Sequence, residues 1–425
     1  MIFNSKNLFY LIFSRLIIDS SYYFFVLDLY RYMGYIGDLN QFKINFIPSL
    51  LFLIPFLINQ KNNHVSSFAI SILLIGILLP VSSLFAFGMV SLQWFLINLL
   101  AFLFITITNN IFINVSFNFL KFKTLKPLNV FLCIFYILST LIFLIQFDLD
   151  FDFSLFSLAT NLIYDQRARF FSDDISYLMY IFMGVGPPIL LSFSIIYRKY
   201  FITFLSLLLL SIIFLATAQK SILFTYFLYL GIIFIDKTKK GIPDQLDYIK
   251  GYIYLVFCGL GIYLINTSSY LFASLLLNRL IYTPQLVSSF YYTYFNTHDY
   301  TYFLDTSFVS AFYGKSYYIN LPREIGRIFV DIETSANTGL ISDGYAKMGI
   351  AGIIVVCTLF LMSLRIIDSL SINKNFLFTK LIITYPIFSL INSSFFTSIL
   401  TNGLLFSLAI LMLIPENNKI NEQSN

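Results

Sequence analysis

Along most of the chain, apolar residues follow one another in unbroken runs instead of alternating with polar ones. The runs are about 20 residues long, enough for a helix to cross a hydrocarbon core of roughly 30 Å. This pattern predicts an all-α polytopic membrane protein with about 12 transmembrane helices, at 8–31, 44–60, 66–85, 92–115, 128–147, 174–196, 200–217, 219–235, 251–269, 340–364, 376–393 and 399–415. Polar side chains gather between the runs, and basic ones mark every second connection. They are Lys61; Lys121, Lys123 and Lys126; Arg198 and Lys199; Lys237, Lys239, Lys240 and Lys250; Arg365, Lys374 and Lys380; and Lys419. Because short cytoplasmic loops concentrate Lys and Arg, both termini are expected on the cytoplasmic side. Two longer connections, 147–173 and 270–339, then fall outside. With no internal repeat or low-complexity linker, residues 1–425 are expected to form a single integral membrane domain.

Composition sharpens this picture. Of 425 residues, 58% are hydrophobic and 11% charged, against about 25% charged in ordinary soluble domains. A water-soluble enzyme is thereby excluded. The net charge of +5 follows the topology pattern, so nucleic acid is not expected as a partner. Cys133, Cys258 and Cys357 all lie within apolar runs, and His64 and His298 are too few for a histidine-rich metal centre. Neither a disulfide framework nor a metal site is predicted. Arg15 and Asp19 interrupt the first run four residues apart, hence on one helical face, and are expected to pair inside the bundle. No small-residue cleavage site follows, so this run is expected to stay as the first span.

The outer connections hold cations where a topology signal alone would not put them. Arg167 and Arg169 lie in Tyr164-Asp-Gln-Arg-Ala-Arg-Phe170, and Lys220 in the turn Thr217-Ala-Gln-Lys-Ser221. Arg279 opens the longer loop in Asn278-Arg-Leu-Ile-Tyr-Thr-Pro284, with Lys315, Arg323, Arg327 and Lys347 beyond it. A guanidinium fork grips phosphate through parallel N–H donors, so the set suits a lipid-linked pyrophosphate. The same cations can instead form structural bridges with Asp165, Asp173, Asp174, Glu324, Asp331 and Glu333. The stretch 279–327 is dense in Tyr and Phe and is expected to fold back on the bundle as short amphipathic helices. Such rings serve as sugar platforms or as an interfacial belt. Asp148-Leu-Asp-Phe-Asp152 offers carboxylates to a hard cation, but its spacing at a span edge marks a helix end better than a metal site. His298 is a candidate general base, with Asp343, Glu324 and Glu333 as rivals.

The order of these features resembles the Wzy-type O-antigen or capsule repeat-unit polymerases. Arg279-Leu-Ile-Tyr-Thr-Pro-Gln285 opens the large loop, and Phe290-Tyr-Tyr-Thr-Tyr-Phe295 follows it. The loop closes with Asn337-Thr-Gly-Leu-Ile-Ser-Asp-Gly-Tyr-Ala-Lys-Met-Gly-Ile-Ala-Gly352. The resemblance implies a GT-C-like bundle in the bacterial inner membrane with a large periplasmic loop. It implies a metal-independent inverting glycosyltransferase without cofactor, moving a glycan from undecaprenyl pyrophosphate to a lipid-linked repeat unit. The implied partners are those lipid-linked oligosaccharides, membrane lipid and a chain-length regulator protein. Arg279 would act catalytically with His298, and Arg167, Arg169 and Lys220 would bind the donor. Asn337, Asp343 and Lys347 would line the site. An O-antigen ligase and a lipid-linked oligosaccharide flippase are the alternatives.

Overall fold

The computed structural model describes residues 5–58, 60, 64–111, 124–146, 166, 177–218, 220–239, 241–265, 273–314, 319–331 and 334–415. Every element among them is helical. Among the described residues, nine helices are long and apolar enough to cross a membrane: Leu8–Tyr30, Val65–Ala86, Leu92–Ile111, Lys126–Phe143, Leu178–Ile196, Tyr200–Thr217, Gln245–Ile265, Leu340–Ser371 and Phe395–Leu413. The chain is therefore a multi-pass helical membrane protein.

Three other predicted spans take different forms. The stretch predicted at 44–60 begins as Leu39–Ser49, N-capped by Asp38, whose carboxylate accepts from Asn40 N at 2.8 Å. Pro48 and Pro55 then remove two backbone donors, and the run tightens into a 3-10 turn at Leu50–Phe52 before Leu53–Leu57. The predicted 219–235 span lies within the 19-residue helix Lys220–Thr238. Phe376–Ser389 is apolar but only 14 residues long.

The chain clusters into two compact units interleaved in sequence. One contains Met1–Ile113, Pro243–Leu364 and Leu390–Phe396; the other contains Asn114–Ile242, Arg365–Ser389 and Thr397–Asn425.

In the first unit, Ser5–Ser21 packs along Gln245–Ile265, and Val65–Ala86 is the most enclosed helix. Arg15 and Asp19 pair as expected, with Nε to Oδ1 at 2.9 Å. Ser49 and Ser82 accept from the guanidinium at 3.1 and 3.0 Å, and Ser83 donates to Asp19 at 2.6 Å. Satisfying a charged pair from three helices makes its burial tolerable in a lipid setting. Three π-helical stretches, Tyr22–Val26, Leu74–Leu78 and Ser274–Tyr282, belong to this unit. Within 270–339, the described helices after Ser274–Tyr282 are Thr283–Phe295, Ser307–Tyr313 and Leu321–Phe329, and the other described residues from 296 to 339 are non-helical.

Leu340–Ser371 departs most from its predicted form as one straight span. Met348 (φ −155°, ψ 31°) and Gly349 (φ 62°, ψ −138°) leave helical space. Residues 340–347 fold back so tightly on 350–371 that a Cβ on Gly352 would lie 2.1 Å from the Gly344 carbonyl oxygen. Gly349 supplies the left-handed backbone. The N–H groups of Thr301 and Tyr302 donate to Ala346 O (3.0 Å) and Lys347 O (2.9 Å), acceptors that the break withdraws from the helical ladder.

In the second unit, Tyr177–Ile196 continues helically through Pro187 and Pro188 and packs against Tyr200–Thr217 and Phe376–Ser389. Gly184 makes room for the Tyr385 ring, which an added Cβ would meet at 2.6 Å. Lys380, grouped in the sequence with the solvated basic connections, is instead buried inside Phe376–Ser389. It is ion-paired with Asp236 and lies over the Phe376 ring.

Candidate functional site

The two motifs of the long loop build two centres, both within the first unit. The closing motif builds a buried one. Ser342 caps the short helical stretch that starts at Leu340, taking the Gly339 N–H at 2.9 Å. One turn on, Asp343 and Lys347 face the same way, and Lys347 Nζ lies 3.0 Å from Asp343 Oδ1. A second carboxylate arrives from the loop: Asp305 Oδ2 is 2.9 Å from the same ammonium, with its Oδ1 taking the Thr301 hydroxyl at 2.7 Å. The rings of Phe303 and Phe396 flank the nitrogen at 5.5 and 5.6 Å, close enough for cation–π attraction.

Lys347 is 1% exposed and Asp343 2%. Two carboxylates around one ammonium leave this centre one negative charge in excess. The Phe395 N–H faces Asp343, although Asp343 Oδ2 completes no hydrogen bond among the described residues. Beside this centre, Tyr291 donates to Ala336 O at 2.8 Å. Burial, with Asp343 and Asp305 near, pushes its phenol well above the ordinary range, so it stays protonated.

An aromatic cluster continues from this centre. Gly349 packs under Tyr300, whose ring meets Tyr345 edge-on at 5.9 Å. Tyr345 in turn contacts Trp94 and Tyr292, which stack on each other at 5.2 Å. Trp94 is fully buried, so this cluster is core packing rather than an open platform for a sugar.

The opening motif builds the other centre on the π-helical stretch Ser274–Tyr282. Its neighbours on either side of Arg279 are fixed. Asn278 accepts the Tyr35 hydroxyl at 2.9 Å and the Thr283 hydroxyl at 3.1 Å. Tyr282 donates to Ile18 O at 2.6 Å, and Gln285 donates to Gly76 O at 3.1 Å. Arg279 itself is exposed and forms no ion pair or hydrogen bond among the described residues. Tyr35 is the group nearest it in electrostatic effect: burial raises the Tyr35 phenol, and the Arg279 charge opposes that rise. No known protein family, curated protein or solved structure matches this chain. A function must therefore be argued from these residues.

The remaining sequence candidates are dispersed. His298 is exposed; its ring stacks on Tyr294 at 3.9 Å, with Nδ1 2.9 Å from Tyr294 O. The same Nδ1 lies 3.0 Å from the Thr297 hydroxyl; in the tautomer that donates from Nδ1 to Tyr294 O, Nε2 is the acceptor. Asn337 is exposed, while Arg327 pairs with Glu324 at 2.8 Å on the surface, a structural bridge of the anticipated kind. Arg279, His298 and Asn337 share no hydrogen bond, ion pair or ring contact with one another or with the Asp343–Lys347 pair among the described residues.

Arg167, Arg169, Lys315, Glu333 and the Asp148–Asp152 run lie outside the described residues, as does the side chain of Lys220, which begins a helix of the second unit. No group of three or more metal-ligating side chains occurs among the described residues. Asp305 is the participant that sequence reasoning missed. Its one signal was negative: it is the sole acid between Asp299 and Glu324.

Proposed function

We propose that this chain is a bacterial inner-membrane glycosyltransferase of the O-antigen or capsule repeat-unit polymerase kind. It has 12 spans, both termini in the cytoplasm and its long loop in the periplasm. The observation that carries the reading is Arg279, an exposed guanidinium unpaired among the described residues, on a stretch that Tyr282 and Gln285 tie to two membrane helices. Such a group meets a pyrophosphate without first surrendering a carboxylate partner.

In the reaction, a hydroxyl oxygen of the lipid-linked acceptor unit attacks the anomeric carbon of the donor glycan from the face opposite the leaving group. The bond from that carbon to the pyrophosphate oxygen breaks, and the electron pair leaves with undecaprenyl pyrophosphate. Arg279 offsets the charge growing on that oxygen, assisted by Arg167, Arg169 and Lys220. His298, with Nδ1 held by the Tyr294 carbonyl, takes the acceptor proton on Nε2. Asp343 and Lys347 hold the end of the loop in place, and Asn337 offers an amide at the exposed rim. A chain-length regulator protein sets the extent of polymerisation.

A second reading, a lipid-linked oligosaccharide flippase, is favoured by the Arg15–Asp19 pair. It sits inside the span Leu8–Tyr30, with Arg15 Nη2 and Asp19 Oδ2 buried and unbonded among the described residues. Ionisable groups at that depth often mark transport pathways.

A lipopolysaccharide or capsule gel from a strain lacking the gene separates these readings. Core bearing a single repeat unit identifies a polymerase. Glycan-free core, with long polymer retained on undecaprenyl pyrophosphate, identifies an O-antigen ligase instead. Unpolymerised units trapped on the cytoplasmic side identify a flippase.

A further inference from the structure

The stretch that carries Arg279 is wound unusually. Ser274–Tyr282 is nine residues of π-helix, and the N–H of Thr283 closes it on Asn278 O, five residues back. Long π stretches are rare, because the wider turn gives up packing along the helix axis, and they recur at functional sites. Something must hold this one against relaxing to the α form.

Pro284 contributes sterically, since in an α turn its ring would press on the Leu280 carbonyl four residues back. Two side chains contribute by addition. The Tyr282 hydroxyl donates to Ile18 O at 2.6 Å and lies 2.7 Å from Ser21 Oγ. Ile18 stands one turn before the π turn Tyr22–Val26, and the rings of Tyr22 and Tyr282 meet edge-on at 5.4 Å. Gln285 donates to Gly76 O at 3.1 Å, in the middle of the π turn Leu74–Leu78. Ile18 O also takes the Ser21 hydroxyl at 2.8 Å, and four residues after Gly76 stands Pro80, which has no N–H; the residues following Arg279 supply donors to both carbonyls.

Winding decides where Arg279 points. A π turn holds one residue more than an α turn, so conversion between them rotates the side chains beyond it by about 100°. In the present winding Leu277 and Asn278 are fully buried and Arg279 is exposed.

We infer that Tyr282 and Gln285 are positioning residues, whose bonds to Ile18 O and Gly76 O hold Ser274–Tyr282 in the π winding that presents Arg279 outward. The geometric part stands by itself. Its consequence for catalysis rests on the proposed role of Arg279 at pyrophosphate.

The test uses full-length protein in membranes, with Cys133→Ser, Cys258→Ser and Cys357→Ala removing the native thiols. Arg279→Cys is introduced as a reporter, with Leu277→Cys in a parallel chain, and each is labelled with a charged, membrane-impermeant thiol reagent. In the parent, Cys at 279 labels readily and Cys at 277 does not. Adding Tyr282→Phe, which keeps the ring and removes only the hydroxyl, is expected to slow labelling at 279 by about fivefold to tenfold, the population shift one lost hydrogen bond produces. Labelling at 277 stays low. Gln285→Leu acts in the same direction.

Unchanged labelling at 279 in both variants overturns the inference. So does a joint rise at 277 and 279, which reports loosened packing instead of a change of winding. Glycan polymer length is measured in the same Tyr282→Phe and Gln285→Leu backgrounds with Arg279 restored. Slower labelling with a matching drop in polymer supports the inference together with its catalytic consequence. Slower labelling with full-length polymer leaves the winding inference standing and removes the role of Arg279 at pyrophosphate.

Discussion

Lys347 and Arg279 are both cations of the long loop's two motifs, and their surroundings are opposites. Lys347 is enclosed by two carboxylates and two phenyl rings and is 1% exposed. Arg279 is exposed and has no carboxylate partner among the described residues, while Tyr282 and Gln285 in its motif are each committed to another helix. A buried ammonium is tolerated only when its partners are already in place, and Lys347 has two carboxylates within 3.0 Å. An unpaired guanidinium on a fixed stretch is the arrangement that leaves an anion something to do. The loop thus has one end built as a fastening and the other as a contact.

Disrupting the fastening should give the largest effect. Lys347→Ala leaves Asp343 and Asp305 facing each other without a counter-charge, which costs about 3–5 kcal/mol. The expected outcome is loss of folded protein, read as membrane abundance and as thermal unfolding in detergent. Lys347→Met combined with Asp343→Asn and Asp305→Asn should recover most of it, because no charge is then stranded.

The contact end should respond in the reverse sense. Arg279→Ala is expected to leave abundance unchanged and to lower polymer formation by about 10²–10³-fold, the usual size of a lost transition-state donor. Full polymer length in this variant would remove Arg279 from the mechanism. A smaller effect is expected from Gly349→Ala, which forces a side chain into left-handed backbone and against the Tyr300 hydroxyl at 2.8 Å. The backbone penalty is about 1–2 kcal/mol, and thermal unfolding should show it without an effect specific to labelling at position 279. Smallest of all is Glu324→Ala. Its ion pair with Arg327, whose side chain is 58% exposed, is expected to contribute less than about 0.5 kcal/mol.

The two ends also differ in how far they could be read from sequence. Continuous apolar runs made the helical membrane class legible, and a four-residue spacing made the Arg15–Asp19 pair legible, because both depend on short-range periodicity. Asp343 and Lys347 have the same four-residue spacing and pair in the structure, although the sequence reading expected them to line the site, not to pair. It could not find Asp305, which reaches Lys347 from 42 residues away through a loop without periodicity.

Nor did hydropathy reveal the fold-back at Met348–Gly349. The run continues beyond it through the largely apolar residues 350–364, and one Gly within a helical run is usually tolerated. Burial of Lys380 escaped for a related reason: a lysine near a span end reads as solvated until its partner, Asp236, is seen on another helix. The exposure of Arg279 depends on winding, which composition does not encode.

The interleaving of the two units sets a schedule for biosynthesis. Residues 1–113 emerge first, yet their unit is complete only when Leu390–Phe396 has been made. At ~5–20 residues per second that wait is roughly 15–60 s. During it, Arg15 already has Asp19, Ser49 and Ser82, all within the early segment. The Ile18 carbonyl already takes the Ser21 hydroxyl, while Tyr282 and Gln285 reach Ile18 O and Gly76 O only later. The nascent chain therefore enters the bilayer with its costliest charge already neutralised. What remains open until late in synthesis is the place where the Arg279 segment will dock.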